Sequence, residues 1–197
     1  DLVRHMQDAS QPIDARQWRF STHYLDNMQW DPVSQAIKGS VLEREDSKVK
    51  VIFVPSYLNG NDGVFNISYN DFLSAFDLSV FPSYYEPWGY TPMESIAHGI
   101  PTVTTDLAGF GVWANTIKGA PSEIEDGVKT IHRTDYNYSE VADTIKDTVV
   151  KFASFTDTQT KKARSAADKL SKKALWSEFI KYYNEAYDIA LQKAAQR

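Results

Sequence analysis

The 197-residue chain is 42% hydrophobic and 13% aromatic, enough apolar material for a buried core, which excludes a disordered tail or a disulfide-stapled miniprotein. With 21 basic against 26 acidic residues the formal charge is −5, so nucleic acid is not the expected partner, and no apolar run nears the ~20 residues of a membrane span. Cysteine is absent, which excludes disulfides and thiol chemistry and fits a reducing, cytoplasmic setting. The opening Asp1-Leu2-Val3-Arg4-His5 has neither an initiator Met nor an apolar leader and reads as a cut inside a longer protein.

Up to about Ser47 the chain is polar, with Trp18, Phe20, Trp30 and Val33 too loosely spaced for one helical stripe. Asp31-Pro32 nevertheless predicts a capped helix to about Leu42. Lys48 to Pro55 alternates and then turns apolar, as a strand does on entering a sheet covered on both faces. Tyr57 to Ser68, with Asn-Gly and Asp-Gly, is a loop. A short helix over Tyr69–Phe76 and a buried strand over Leu78–Phe81 follow. Thr91-Pro92-Met93-Glu94 has the form of a capping box with Pro at the first helical position, and Gly99 sits where the helix should end. Ile100 to Thr105 predicts the next strand, and the loop Asp106–Gly111 leads into a helix through Ile117. A strand over Val128–His132 and helices from about Ser139, Asp157 and Lys173 complete the chain. Alternating strands and helices imply a parallel, doubly wound, Rossmann-like α/β sheet with a helical C-terminal tail. The core is expected over about 48–155 and the tail over about 157–195.

Ligands of such sheets bind beyond the carboxyl ends of the strands. The turn Pro82–Tyr90 lies at one of these ends, and Gly89 before a helix can aim backbone N–H groups at a phosphate-like anion. Glu86 and Glu94 bracket it. Glu94 has two competing readings, reciprocal cap of Thr91 or ligand contact.

Tyr84-Tyr85-Glu86-Pro87-Trp88-Gly89-Tyr90-Thr91-Pro92-Met93-Glu94 closely resembles the signature of glycogen synthases of the animal and fungal type (glycosyltransferase family 3). The likeness runs from Val51-Ile52-Phe53 through Gly99-Ile100-Pro101 to Leu107-Ala108-Gly109-Phe110-Gly111, roughly residues 49 to 113, and more weakly to Ser21-Thr22-His23 and Leu175-Trp176. It implies the C-terminal, nucleotide-sugar-binding domain of a retaining GT-B glucosyltransferase. Such an enzyme moves glucose from UDP-glucose to the nonreducing end of an α-1,4-glucan, without metal or other cofactor. By this resemblance Glu86 and Glu94 match an E-x7-E motif: Glu86 stabilises the reacting glucose and Glu94 binds the ribose. Gly89, Tyr90 and Thr91 would hold the diphosphate, Tyr57 and Tyr69 would stack on uracil, and Trp88 would line the pocket. Gly109, Phe110 and Gly111 form a second-tier loop along the cleft.

The family's phosphate-binding Arg and Lys belong to an Arg-Tyr-Glu…Asn-Lys-Gly segment that this sequence lacks, and the N-terminal GT-B domain is expected outside this chain. The basic residues between Lys161 and Lys173 read as a solvated helix face, and His5, His23, His98 and His132 form no metal-ligand spacing. Homo-oligomerisation is left open. The alternatives are a noncatalytic sugar-nucleotide or glucan-binding module, or a GT-B transferase using another nucleotide sugar.

Overall fold

The computed structural model describes residues 19–196; Trp18 and His5 lie outside them. The chain divides into two units, one ending at Phe72 and the other starting at Leu73.

In the first unit Phe20, Met28 and Ile37 form a buried cluster on which Leu25, Val51 and Phe53 pack. Helix α1 (Pro32–Ile37) starts as predicted: Asp31 accepts the Ser34 N–H at 2.7 Å, and Pro32 needs no partner in the first turn. It stops at Ile37 rather than Leu42, because Lys38 turns extended (φ −60°, ψ 130°) and a separate 3-10 turn runs over Val41–Glu43. The strand expected over residues 48–55 is reduced to one parallel bridge between Phe53 and Ser21. Two backbone bonds make it, Phe53 N–H to Phe20 O at 2.6 Å and Thr22 N–H to Phe53 O at 2.9 Å. A single bridge covers neither face, so Val49 and Ile52 are exposed despite their apolar side chains.

Residues 57–68 form the predicted loop, closed by an antiparallel bridge between Asn59 and Ser68. Buried Asp62 organises its tip, accepting the N–H groups of Val64 (3.0 Å), Phe65 (2.7 Å) and Asn66 (2.9 Å). The fully buried His23 donates from Nε2 to the Asp62 carbonyl at 2.7 Å. Burial opposes the charged form of Asp62, but the N–H groups of Phe65, Val64 and Asn66 outweigh it and hold its carboxyl below the ordinary aspartate value. A folded-state pKa below the unfolded one stabilises the loop above about pH 3.9, and the gain is lost as pH falls through the folded value. The Val64–Asn66 amide resonances should therefore titrate with a midpoint below about pH 3.9. Asp62→Asn should abolish that titration, and a midpoint at or above the ordinary value would refute the assignment. Helix α2 (Tyr69–Leu73) follows, shorter than expected.

The second unit contains β1 (Ser79–Val80), α3 (Tyr90–Ala97), β2 (Thr102–Thr105), α4 (Gly109–Lys118), β3 (Val128–Ile131), α5 (Tyr138–Ala153), α6 (Asp157–Lys172) and α7 (Trp176–Ala195). The strands are parallel in the order β1-β2-β3, with Val80 opposite Val103 and Val103 opposite Lys129. Alternation along the strands divides the apolar residues between two faces. Val103 and Ile131 join Val141 and Phe152 of α5 in one cluster; Val128 joins Ile96 of α3 and Phe110 and Ala114 of α4 in the other. Helix α6 supplies Ala163 to the first and Ala167 to the second. Both faces are thus covered and β2 is wholly buried, the doubly wound arrangement that the element order predicts.

Two local expectations change. The Thr91–Glu94 capping box does not form: α3 begins at Tyr90, with Gly89 at its N-cap and no side chain capping it. Thr91 lies inside the first turn, where Pro92 is tolerated because first-turn N–H groups lack helical partners. The loop expected over 106–111 ends at Ala108, and Gly109–Gly111 are the first turn of α4.

Candidate functional site

Segments leaving the carboxyl ends of β1 and β2 are knitted together by the backbone. Glu86 N–H donates to Leu107 O (3.2 Å), Gly109 N–H to Glu86 O (3.2 Å) and Phe110 N–H to Trp88 O (2.7 Å), giving a parallel bridge between Glu86 and Ala108. The Thr105 hydroxyl donates to Ser83 O at 2.7 Å. Glu86 is half-buried, and its carboxylate accepts the Ser83 hydroxyl at 3.3 Å.

Gly89 makes the turn into α3. Its φ of +108° is one that side-chain-bearing residues rarely adopt, and a Cβ there would lie 3.4 Å from Glu86 Oε2 and 3.2 Å from the Pro92 ring. The Glu86 carboxylate therefore stands at the helix start. Tyr90 and Thr91 are exposed in the first turn, where N–H groups and the helix dipole favour an anion. Glu94 is half-buried one turn further on, and among the described residues its carboxylate has no partner, so it caps nothing.

Trp88, Gly109, Phe110 and Gly111 are placed by packing. The Trp88 ring lies edge-on to Phe110 (6.1 Å) and Phe179 (5.4 Å) and 5.7 Å from Trp113. Phe110 is fully buried and packs in the core with Ile96, Ala114 and Val128. The flanking glycines let backbones touch: a Cβ on Gly109 would lie 2.3 Å from Pro87 O, and one on Gly111 2.2 Å from Thr105 O. A cavity of about 500 Å³ opens beside this cluster between α3 and α7, with Trp88, Tyr90, Met93, Trp176 and Phe179 in its wall; neither Glu86 nor Glu94 lines it.

In the first unit, Tyr57 and Tyr69 stand at the neck of the 57–68 loop, where Tyr69 N–H donates to Leu58 O at 3.0 Å. Tyr57 is 80% exposed and Tyr69 38%.

A sequence profile described as glycogen synthase matches residues 15–197, nearly the whole chain. The chain belongs to the glycogen synthase family. It is 32% identical over 174 residues to glycogen [starch] synthase isoform 1 of Saccharomyces cerevisiae, covering 88% of this chain and 25% of that protein. Identity is 30% over 174 residues to glycogen [starch] synthase of Neurospora crassa (88% and 24%) and 30% over 175 residues to the liver glycogen [starch] synthase of Rattus norvegicus (88% and 25%). The chain thus spans about a quarter of the length of these glycogen synthases. Among its described residues no helix is long and apolar enough to cross a membrane, and no three His, Asp or Glu residues are grouped to hold a metal ion.

At the end of β3 lies a residue that motif reading passed over, Arg133. Asp106 accepts the Arg133 backbone N–H at 2.9 Å through one carboxylate oxygen and pairs with His132 Nδ1 at 2.5 Å through the other. Arg133 itself is buried. The available signal was its place: a lone basic residue immediately after a predicted strand, at the edge where ligands of α/β sheets bind.

Proposed function

We propose that this chain supplies the nucleotide-sugar-binding domain, core about 48–155 with helices over 157–195, of a retaining GT-B glucosyltransferase. The donor is UDP-glucose and the acceptor the nonreducing end of an α-1,4-glucan. The observation that carries the reading is the half-buried Glu86 carboxylate at an uncapped helix start, within a chain of the glycogen synthase family. Cleaving the glucosyl–phosphate bond leaves negative charge on the diphosphate and positive charge at the anomeric carbon. N–H groups of Gly89, Tyr90 and Thr91 meet the first, and Glu86 meets the second. Tyr57 and Tyr69 stack on uracil and Glu94 binds the ribose hydroxyls. The reaction uses no metal or other cofactor, takes place in the cytoplasm, and draws its acceptor surface and further phosphate ligands from an N-terminal GT-B domain of the same protein.

The test is incorporation of labelled glucose into glycogen by the full-length protein, with UDP-glucose, ADP-glucose and GDP-mannose in competition. Preference for UDP-glucose supports the reading. Binding of UDP-glucose without transfer would instead identify a noncatalytic module. Glu94→Gln separates ligand contact from structure: UDP should bind about tenfold more weakly, as expected for a lost charge-assisted hydrogen bond. Its melting temperature should stay unchanged because no cap is lost. A lowered melting temperature with unchanged UDP affinity would overturn the ribose role.

A further inference from the structure

We infer that Arg133 is a positioning residue that sets the Glu86 turn, an inference that rests on the catalytic reading of Glu86 just given. The Arg133 side chain projects from the end of β3 beneath the segment that leaves β1. It is only 5% exposed; its guanidinium carbon lies 3.5 Å from the centroid of the Tyr84 ring, and its Nη1 donates to the Pro82 carbonyl. Nε is buried without a partner, and among the described residues no carboxylate pairs with the guanidinium. A buried charge without a counter-ion, and with one donor unmatched, opposes folding relative to an apolar side chain of similar size. Stability alone therefore does not explain an arginine here. What the guanidinium does achieve is geometric: one planar group holds a carbonyl and an aromatic face at once, which a lysine or an aliphatic chain cannot do together.

Both contacts fall just before Glu86, on either side of Ser83, whose carbonyl accepts the Thr105 hydroxyl. Glu86 itself is held by Leu107 and Gly109, so Arg133 completes, with Thr105, the hold on the leading half of a turn whose trailing half the α4 start already fixes. The base of the clamp is rigid too, because Asp106 binds the Arg133 N–H and His132 together. Releasing the leading half lets the carboxylate drift while the uncapped start of α3, the proposed diphosphate site, keeps its place.

The experiment measures Arg133→Ala, Arg133→Lys, Tyr84→Leu and the Arg133→Ala/Tyr84→Leu double variant in the full-length protein. Displacing a catalytic group by about 1 Å costs on the order of 100-fold in rate, so kcat should fall about 100-fold in Arg133→Ala. KM for UDP-glucose should stay within about twofold, since the diphosphate contacts are untouched. Arg133→Lys should recover about tenfold of the loss, by keeping a cation over the ring. Tyr84→Leu should reproduce most of it, and the double variant should add little. Hydrogen exchange of the Ser83–Gly89 amides, about tenfold faster in Arg133→Ala and intermediate in Arg133→Lys, reports the same loosening without reference to activity. A loss confined to KM, additive effects of the two sites, or unchanged exchange in this segment would overturn the inference. If the wild-type protein transfers no glucose, the catalytic reading falls and the exchange measurement decides the positioning role by itself. Should Arg133→Ala fail to fold, Arg133→Lys carries the comparison.

Discussion

Gly111→Ala should destabilise the protein by at least about 3 kcal/mol, seen as a melting temperature lower by roughly 10 °C. The added methyl would sit 2.2 Å from the Thr105 carbonyl oxygen and 3.1 Å from the Thr130 side chain, so α4 would have to lift off both β2 and β3. The colliding atom belongs to the backbone of a fully buried strand and cannot swing aside. Movement of α4 also strains the bonds from Gly109 and Phe110 to Glu86 and Trp88, so the same substitution should loosen the Glu86 turn. Val112→Ala, next along the helix and 50% exposed, is the control and should stay within about 0.5 kcal/mol of wild type. A Gly111→Ala protein that melts with the wild type would show that the helix and sheet are not in this contact.

The two glycines illustrate what local sequence could and could not reveal. That Gly109 and Gly111 permit close approach was readable; that Gly109 meets the Pro87 turn and Gly111 the backbone of β2 was not, because it depends on which segment lies opposite. The doubly wound sheet was legible because alternating strands and helices admit few parallel arrangements, and the β-branched residues of Thr102–Thr105 and Val128–Ile131 mark strands between turn and helix signals. The apolar run misled over residues 48–55: such a run states what a segment could pair with, whereas a ladder needs a partner of matching length, and here Phe53 has one bridge. The start of α3 was misplaced for a related reason. Thr-Pro-Met-Glu is a good capping pattern in isolation, but the bond from Phe110 to Trp88 and the left-handed Gly89 begin the helix at Tyr90. Arg133 escaped notice because basic residues attract attention in runs, and its importance comes from a tyrosine and a carbonyl about fifty positions away.

Glu86→Gln should lower kcat for glucosyl transfer by about 10²- to 10³-fold, the usual scale for one electrostatic group facing charge that develops in a transition state. The substitution is chosen because it isolates charge from shape. Glutamine has the same length, keeps an oxygen to accept the Ser83 hydroxyl, and leaves the backbone bonds to Leu107 and Gly109 intact, so melting temperature should move by less than about 2 °C. Affinity for UDP should hold within about twofold, since the proposed site meets uracil, ribose and diphosphate with other groups. Glu86→Ala should be at least as slow and additionally open space over Gly89. Turnover undiminished in Glu86→Gln would sink the proposed role. A large rise in KM at unchanged kcat would show a carboxylate that holds the sugar equally in ground and transition states. Comparison with Arg133→Ala then distinguishes losing the charge from misplacing it. If both act through the same carboxylate, combining Glu86→Gln with Arg133→Ala should cost far less than the product of the two separate losses.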